Sequence, residues 1–326
     1  MSFQLLFGTF LLLSFVLGCQ PEVFEELDGT VVSPTQRTSV DPDPVAAEST
    51  VQPDDFWGTP ETETAPEIVR MLAWNIESGG ANPDTIARQL AELPRYDIYA
   101  LTEVRPLGFP AIKEALGADY DYLYSRSGND DRLAFAIRRD RFEFLDHYEF
   151  DAYGDYVINP GNYRSPFVFE LKDRRSGQTF LVMLNHLARG RAEVRQQQAE
   201  GIREWARGQG NSIIALGDYN FDYVFATDKG NPAMDIFLKD DVFRWVRPVP
   251  MIDSNYYDGD GDGIDDYIDS LLDFAFVAGN AKDWKAACRI IVRPSDFPDD
   301  QETSDHRPVE FLIHPEPLEA QSGKGR

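Results

Sequence analysis

Cysteine, histidine and basic residues are all scarce in this chain of 326 residues. It has two Cys and four His, and its 31 Lys and Arg face 56 Asp and Glu, which gives a formal net charge of −25. A disulfide framework is excluded, and Cys288, in the apolar run AACRIIV, is expected to be a small core residue. The sequence also lacks a basic block, a Gly-rich phosphate loop, a GxSxG motif and any internal repeat. Neither a P-loop protein nor a hydrolase of the GxSxG type is therefore indicated.

The first 19 residues resemble a lipoprotein-type signal peptide. Their apolar run of about 15 residues is short for a membrane span and suits the hydrophobic region of a signal peptide. The run ends in Val16-Leu17-Gly18-Cys19, which resembles the bacterial lipobox, where the Cys is lipidated and becomes the mature N-terminus. We expect an exported protein, lipid-anchored at a bacterial membrane and facing the periplasm or the exterior. An ordinary signal peptide or a short anchor helix is the alternative.

Residues 20–66 are rich in Pro and acidic residues. Eleven acidic residues oppose Arg37 alone, so this segment carries −10 of the −25 and leaves −15 for the rest of the chain. Few apolar residues recur at a regular spacing there, which predicts a disordered linker. We expect the folded domain to span residues 67–315 and residues 316–326 to form a flexible tail.

From residue 67 onward, strand and helix patterns alternate. Helices are predicted over 83–93 and 191–208, where apolar residues recur at helical spacing. About ten strands with few helices predict an α/β fold in which two sheets pack on each other and helices cover the outside. The predicted strands lie at 68–76, 96–104, 132–139, 142–150, 163–173, 178–188, 212–220, 270–279, 286–294 and 307–314.

Polar residues follow the apolar part of several predicted strands. Taken singly, such residues are usually solvated, cap a helix or form a structural hydrogen bond. Together they repeat one pattern, and strands that end at one edge would bring them into a single cleft. They are Asn75, Glu103, Asn185, His186, Asp218, Asn220, Asp273, Asp305 and His306.

The chemistry of these side chains fits metal-assisted phosphoester hydrolysis. A phosphodiester is anionic, so its attack by water needs a cation, a base and donors for the developing charge. Glu103, Asn75 and Asp305 offer the oxygen ligands that Mg²⁺, Mn²⁺ or Ca²⁺ prefer. Two of the four His, His186 and His306, lie in the same motifs, and each could be held in one tautomer by a carboxylate.

Seven motifs, in their order along residues 68–314, resemble the endonuclease/exonuclease/phosphatase superfamily, and within it deoxyribonuclease I. They are WNIES, LTEV, YRSPFVF, LNHL, GDYNFD, LLDFAFV and SDHRPVEF. The resemblance implies a four-layer α/β sandwich with two packed mixed β-sheets. It also implies dependence on a divalent metal, Mg²⁺ or Mn²⁺, and cleavage of phosphoesters, with nucleic acid as the expected phosphodiester substrate and a monomer as the expected state.

The resemblance also implies a role for each motif residue. Asn75 and Glu103 match metal-site residues, with Asp305 as a further acid beside the second His. The remaining matches are His186 as first catalytic His, Asp218 and Asn220 as the pair that orients water and phosphate, His306 as second His, Asp273 as its carboxylate partner, Arg164 as a phosphate contact and Asp131 as the acid that orients His186.

Residues 258–269, DGDGDGIDDYID, resemble the twelve-residue calcium loop of EF-hand and dockerin-type sites. The candidate ligands are Asp258, Asp260, Asp262, Ile264, Asp266 and Asp269. Position 12 is Asp269 in place of the usual Glu. The loop ends four residues before Asp273, so a structural Ca²⁺ is expected to brace that strand. A flexible acidic loop is the alternative.

Several substrates stay open from the sequence. SLLDFAFV replaces the PxWxDR-type signature of inositol polyphosphate phosphatases, so that activity is disfavoured. The acidic net charge weakens long-range attraction to DNA without excluding a nuclease. An extracytoplasmic endonuclease or phosphodiesterase is the first interpretation, a sphingomyelinase-like lipid phosphodiesterase the second, and a catalytically inactive surface binding module the third.

Overall fold

The computed structural model describes residues 67–258, 260, 262, 264–267, 269–293 and 302–317. The predicted signal peptide, the predicted linker and residues 318–326 of the predicted tail lie outside the described residues. Within the described part of the chain, no helix has the length and apolar character that crossing a membrane requires.

Six strands form the first sheet. Asn75 is the last residue of one of them, and Glu103 lies near the end of another. The bounds are β1 Val69–Asn75, β2 Ile98–Val104, β3 Tyr120–Tyr124, β4 Arg132–Arg138, β13 Trp284–Ile290 and β14 Val309–Pro317. Their spatial order is β13-β14-β1-β2-β4-β3. Only the pairing of β1 with β2 is parallel, so the sheet is mixed. The last strand continues two residues into the predicted tail.

The second sheet also has six strands. The bounds are β5 Phe142–Glu149, β8 Phe167–Asp173, β9 Thr179–His186, β10 Ser212–Val224, β11 Phe243–Trp245 and β12 Ser270–Ala278. They follow the order β11-β12-β10-β9-β8-β5, and β9 and β10 are the parallel pair. A two-stranded hairpin, β6 Ala152–Tyr153 with β7 Tyr156–Val157, stands apart from both sheets. Strand β8 begins after Pro166, which has no backbone N–H to donate to a ladder.

Helices cover the outer faces of both sheets and complete the four-layer α/β sandwich. They are α1 Pro83–Glu92, α2 Phe109–Leu116, α3 Ala192–Arg207 and α4 Pro232–Leu238. Ile86 of α1 and Ile112 of α2 pack in one core with Leu72 of β1. The larger core holds Ile202 of α3 and Phe237 of α4 together with the strands of the second sheet. The predicted fold class is confirmed.

Six of the elements named above were missed from the sequence. They are α2, β3, β6, β7, α4 and β11, and each has eight residues or fewer. Periodicity is weak over such short segments, and these elements depend on packing against longer neighbours. Both predicted helices and all ten predicted strands are present in the structure.

A buried ion-pair cluster joins the two sheets at the edge opposite the polar strand ends. Arg141, with a side chain only 1% exposed, bonds Asp173 at 3.0 Å and Asp97 at 3.2 Å. It also donates to the carbonyl oxygens of Ile68 at 2.8 Å and Glu67 at 3.3 Å. Arg141 and Asp173 flank strands of the second sheet, whereas the other three residues precede strands of the first.

Candidate active site

Three neighbouring strands of the second sheet place three polar side chains in one row. The parallel register of β9 and β10 pairs His186 with Asp218. The antiparallel register of β10 and β12 pairs Asp218 with Asp273. All three residues are buried. His186 and Asp218 follow the apolar parts of their parallel strands, and Asp273 precedes the apolar run of the antiparallel strand β12, so the three polar residues meet side by side.

The first sheet brings Asn75 and Glu103 to the same place. The Asn75 Nδ2 atom donates to Glu103 Oε1 and to Asp218 Oδ2, at 3.0 Å each. Its Oδ1 atom accepts a hydrogen bond from the Glu77 backbone N–H at 3.0 Å. The other oxygen of Glu103 accepts from the backbone N–H and the hydroxyl of Ser78, both at 3.1 Å. Asn75 thus joins a carboxylate of each sheet.

Strand alternation explains the position of Asn75. Met71 and Ala73 face the core between the sheets, whereas Leu72 and Trp74 face the helices. Because side chains alternate along a strand, Asn75 lies on the same face as Met71 and Ala73. It therefore reaches the edge of the space between the two sheets.

Glu103 needs an irregularity to reach that space. Leu101 and Val104 both pack in the outer core, three positions apart, and the register of β2 against β4 shifts between them. Glu103 itself has a φ of 56°, in the left-handed region that few residues other than Gly adopt. A bulge of this kind changes the direction of a side chain at the end of a strand.

A second irregularity follows Asp218. The register of β10 against β12 shifts between Asp218 and Tyr223, and Asn220 has a φ of 52°. Gly217 has a φ of 126°, and a Cβ atom there would collide with the Asn185 carbonyl oxygen, so the position requires Gly. Left-handed backbone at Glu103 and Asn220 is the local strain that functional sites often hold.

His306 is fixed on both sides. Its Nδ1 atom lies 2.7 Å from Asp273 Oδ2, and its carbonyl oxygen accepts a hydrogen bond from Trp74 Nε1 at 2.8 Å. Asp305 Oδ1 lies 3.9 Å from His306 Nε2. Burial opposes protonation, but the charges of Asp273 and Asp305 outweigh it and raise the pKa of His306 well above 6.5. The carboxylates of Asp273 and Asp305 therefore favour the protonated form of the buried ring.

His186 has a different carboxylate partner. Its Nδ1 atom lies 3.4 Å from Asp131 Oδ1, and the other oxygen of Asp131 pairs with Arg164 Nη1 at 2.8 Å. Burial acts to raise the pKa of Asp131, but His186 and Arg164 hold it below 3.8. Arg164 also donates to the carbonyl oxygen of Leu187 at 3.3 Å. The predicted pairing of Asp131 with His186 is thus present as a contact.

The Asp218 carboxylate is the meeting point of these groups. Its Oδ2 atom lies 3.5 Å from His186 Nε2 and 4.0 Å from His306 Nε2. The Asn220 backbone N–H donates to the other oxygen at 2.9 Å, and Asn220 Nδ2 donates to the Leu187 carbonyl oxygen at 3.0 Å. The structure therefore gathers the nine residues predicted for catalysis and metal binding at one edge of the sandwich. Their roles remain predictions.

The donor set fits a divalent cation. Asp218, Asp273 and His306 have potential ligand atoms within 4.8 Å of one another. Glu103 Oε1 approaches the same region, 3.9 Å from His186 Nε2. Crowding of carboxylates in a partly buried site disfavours folding unless positive charge compensates for it, and carboxylate oxygens are the ligands that Mg²⁺ and Mn²⁺ prefer.

Two residues beside Asn220 were given no role from the sequence. Arg189 Nη1 donates to Asn220 Oδ1 at 3.3 Å, and Asp222 accepts from Asn231 Nδ2 at 2.8 Å. Asp222 was visible as the last residue of GDYNFD. Arg189 follows His186 by three residues in a turn, where no periodicity marks a side chain that faces the site.

The predicted calcium loop brings its first three acids together. Asp258, Asp260 and Asp262 have carboxylate oxygens within 4.8 Å of one another. The Asp262 backbone N–H donates to Asp258 Oδ1 at 3.1 Å and to Asp260 Oδ1 at 3.2 Å. The Ile264 backbone N–H donates to Asp262 Oδ1 at 2.8 Å.

Two of the remaining predicted ligands are not part of this acidic group. Among the described residues, the compact acidic group does not include Asp266 or Asp269. The Asp266 backbone N–H donates to the Tyr257 carbonyl oxygen at 2.7 Å. Gly263, the predicted turn residue, lies outside the described residues. The structure thus brings together the acids at positions 1, 3 and 5 of the loop, and calcium binding stays a prediction.

Fold and site together define a class, the phosphoester hydrolases built as a four-layer sandwich. A family model described as the Endonuclease/Exonuclease/phosphatase family matches residues 72–306. The chain belongs to this family, which confirms the resemblance and makes the protein a phosphoester hydrolase. A comparison with curated proteins gave no match.

Solved structures share the fold at low identity. A family member from Bacteroides thetaiotaomicron is 20% identical with a TM-score of 0.57, over 76% of this chain and 94% of that one. The mannosyl-6-phosphatase of the same organism is 19% identical with a TM-score of 0.56, over 75% and 99%. D. rerio TDP2, in complex with a single-strand DNA product, is 17% identical with a TM-score of 0.57, over 76% and 98%.

Proposed function

We propose that this hydrolase is a divalent-cation-dependent phosphodiesterase that acts outside the cytoplasm on nucleic acid. The observation that carries the proposal is the convergence of Asn75, His186 and His306 on the Asp218 carboxylate. Asn75 also joins Glu103 to this group. The TDP2 structure with a DNA product supports nucleic acid as a substrate on this fold. Export rests on the N-terminal 19 residues of the sequence alone.

Glu103 and Asp305, with Asp218, would hold the catalytic cation, Mg²⁺ or Mn²⁺. When bound, the cation would neutralise a non-bridging phosphate oxygen and so permit attack by water. Asn75 has its amide nitrogen against Glu103 and Asp218, so it fixes the spacing between the two carboxylates. Its predicted role as a direct ligand remains a prediction.

Proton transfer and phosphate binding are assigned to His186, Asp218 and Asn220 of the second sheet and to His306, which precedes β14. Asp218, acceptor of the Asn220 backbone N–H, orients the attacking water and accepts its proton. His306, charged because Asp273 holds its Nδ1 atom, donates to the phosphate oxygens or to the leaving oxygen. His186 lies on the opposite side of Asp218 and provides a second donor. Asn220, with one amide hydrogen bonded to Leu187, contributes its other hydrogen to the phosphate.

Hydrolysis of bis(4-nitrophenyl) phosphate with Mg²⁺ or Mn²⁺ tests the proposal. His306→Ala is expected to lower kcat by about 10²-fold or more, the usual scale of general acid–base catalysis. His147→Ala is the matched control, because His147 is exposed on β5. Equal turnover by wild type and His306→Ala would refute the proposal. Plasmid DNA, RNA and sphingomyelin assayed side by side separate a nuclease from a lipid phosphodiesterase.

A further inference from the structure

Arg189 stands at the rim of the candidate site with part of its guanidinium exposed. The side chain is 44% exposed. Its Nη1 atom donates to Asn220 Oδ1 at 3.3 Å and also pairs with Asp222, and its Nη2 atom donates to the hydroxyl of Tyr267 at 2.8 Å. The guanidinium also lies 5.2 Å from the centre of the Tyr267 ring. Asp222, Tyr267 and Asn220 therefore hold a partly exposed cation in one orientation.

Neutralising Asp222 does not by itself require Arg189. Arg195 Nη2 lies 3.7 Å from the other oxygen of Asp222, and the Arg195 side chain is only 9% exposed. Arg195 also donates to the carbonyl oxygens of Ala188 at 2.8 Å and Arg189 at 2.7 Å, so it fixes the backbone of this turn. Around Asp222, two guanidinium groups therefore face a single carboxylate, unlike the crowded carboxylates around Asp218. The accessible guanidinium belongs to Arg189.

Arg164, the arginine predicted to contact phosphate, is less available to a large substrate. Its side chain is only 12% exposed, and it pairs with Asp131 and donates to the Leu187 carbonyl oxygen. Arg189 contacts Asn220, whose other amide atom bonds Leu187, so the two arginines lie on the same side of the site. A phosphate that extends past Asn220 would therefore meet Arg189.

We propose that Arg189 binds a phosphate neighbouring the scissile one, so that the enzyme prefers a nucleic acid chain to an isolated phosphodiester. This inference rests on the phosphodiesterase activity proposed above. Arginine suits the role because its planar fork donates two parallel hydrogen bonds to phosphate oxygens. Tyr267 and Asp222 act as positioning residues, since they hold the guanidinium before a substrate arrives.

The test compares two substrates, a thymidine dinucleotide with one phosphate and a thymidine hexanucleotide with five. Wild type is expected to have the higher kcat/KM for the hexanucleotide. Arg189→Gln is expected to lower the hexanucleotide-to-dinucleotide ratio of kcat/KM by about 10- to 100-fold, the scale of a charged hydrogen bond. The loss should appear in KM, and the slope of log KM against log salt should fall by about 0.7, as for one phosphate contact on a single strand.

Arg191→Gln is the matched control, since Arg191 is exposed and pairs with Glu193. Arg189→Lys keeps the charge and should restore part of the ratio, which a purely structural role of Arg189 would not produce. An unchanged ratio in a folded Arg189→Gln variant, or an equal fall in both substrates, would overturn the inference. Absence of any hydrolysis by wild type would instead refute the proposed function, so the two failures are distinguishable.

Discussion

The Asp218 carboxylate has neighbours from both sheets, and each neighbour acts on a different part of the proposed reaction. Asn75 donates to the oxygen that also lies near His186 and His306. The Asn220 backbone N–H occupies the other oxygen. Asp218 therefore keeps one oxygen for the reaction while the second fixes its orientation, which is how preorganised polar groups lower an activation barrier.

Asp273 and His306 are expected to act as one unit. Asp273→Asn removes the charge that holds the imidazolium, so kcat for bis(4-nitrophenyl) phosphate should fall by about 10²-fold or more. The double variant Asp273→Asn/His306→Ala should be no slower than His306→Ala alone, because residues that act together lose their effects together. Steady-state kinetics on the three variants checks this, with Asp235→Asn, at an exposed site on α4, as control. Losses that multiply would contradict the pairing.

Individual residues were predictable where strands ended in polar groups, and less so elsewhere. His186 and Asp218 each follow an apolar run, and the registers of β9, β10 and β12 pair Asp218 with His186 and with Asp273. Arg189 could not be predicted in the same way. Its place depends on a turn after β9 and on Tyr267, which is 78 residues away in sequence. Contacts of this kind arise from tertiary structure, and no local pattern records them.

Two strands depart from regular geometry at the site and are regular elsewhere. The bulge in β2 turns Glu103 toward Asn75, and the irregularity in β10 begins at Asp218. The sequence predicted both strands but neither departure, because alternation alone would place Glu103 on the helix-covered face. Bulges of this kind are common beside functional sites, where the backbone departs from the regular alternation of a strand.

The buried ion pairs of Arg141, at the edge of the sandwich opposite the candidate site, are expected to stabilise the fold. Arg141→Met would leave Asp173, which is fully buried, without its main positive partner. We expect this variant to lose about 3–5 kcal/mol of unfolding free energy at pH 7, the usual cost of breaking a buried ion pair. Arg95→Met, at an exposed pair with Asp119, should change it by about 1 kcal/mol or less. Urea denaturation measures both, and equal losses would contradict the account.

The same cluster predicts a pH dependence. Burial acts to raise the pKa of Asp173, but hydrogen bonds from Arg141 and Ser176 hold it below 3.8. A lowered pKa stabilises the folded state above the pKa of the unfolded chain, and this stabilisation is lost as the pH falls through the folded value. The stability difference between wild type and Arg141→Met should therefore shrink below pH 3.8, and a constant difference in urea titrations would contradict the assignment.

The molecule as a whole is acidic, and its negative charges are unevenly distributed along the chain. Residues 20–66 account for −10 of the net −25, and the aspartates of residues 258–269 add a second concentration of negative charge. Tyr267 of this loop donates to Asp222 at 3.1 Å, so the loop contacts the rim of the site. A cation bound by the loop would thus support the site without taking part in the reaction.

Calcium is expected to stabilise the protein through this loop. In excess Mg²⁺, EGTA should lower Tm by about 5–10 °C, the shift for a ligand removed from about 100-fold above its Kd. Asp260→Asn/Asp262→Asn should abolish the response to Ca²⁺. Asp240→Asn/Asp241→Asn removes the same charge at exposed sites and should keep the response. Scanning calorimetry decides the matter, and a Tm that EGTA leaves unmoved would exclude a structural calcium site.

The central claim is that both sheets contribute to one cation site that hydrolyses phosphodiesters. Electron paramagnetic resonance of bound Mn²⁺, combined with hydrolysis of bis(4-nitrophenyl) phosphate by the same samples, tests it most directly. Glu103→Gln removes a carboxylate of the first sheet, Asp218→Asn one of the second, and Glu114→Gln an exposed acid on α2 as control. We predict that each of the first two variants weakens Mn²⁺ binding and hydrolysis together. Wild-type Mn²⁺ affinity and turnover in either of them would contradict the claim.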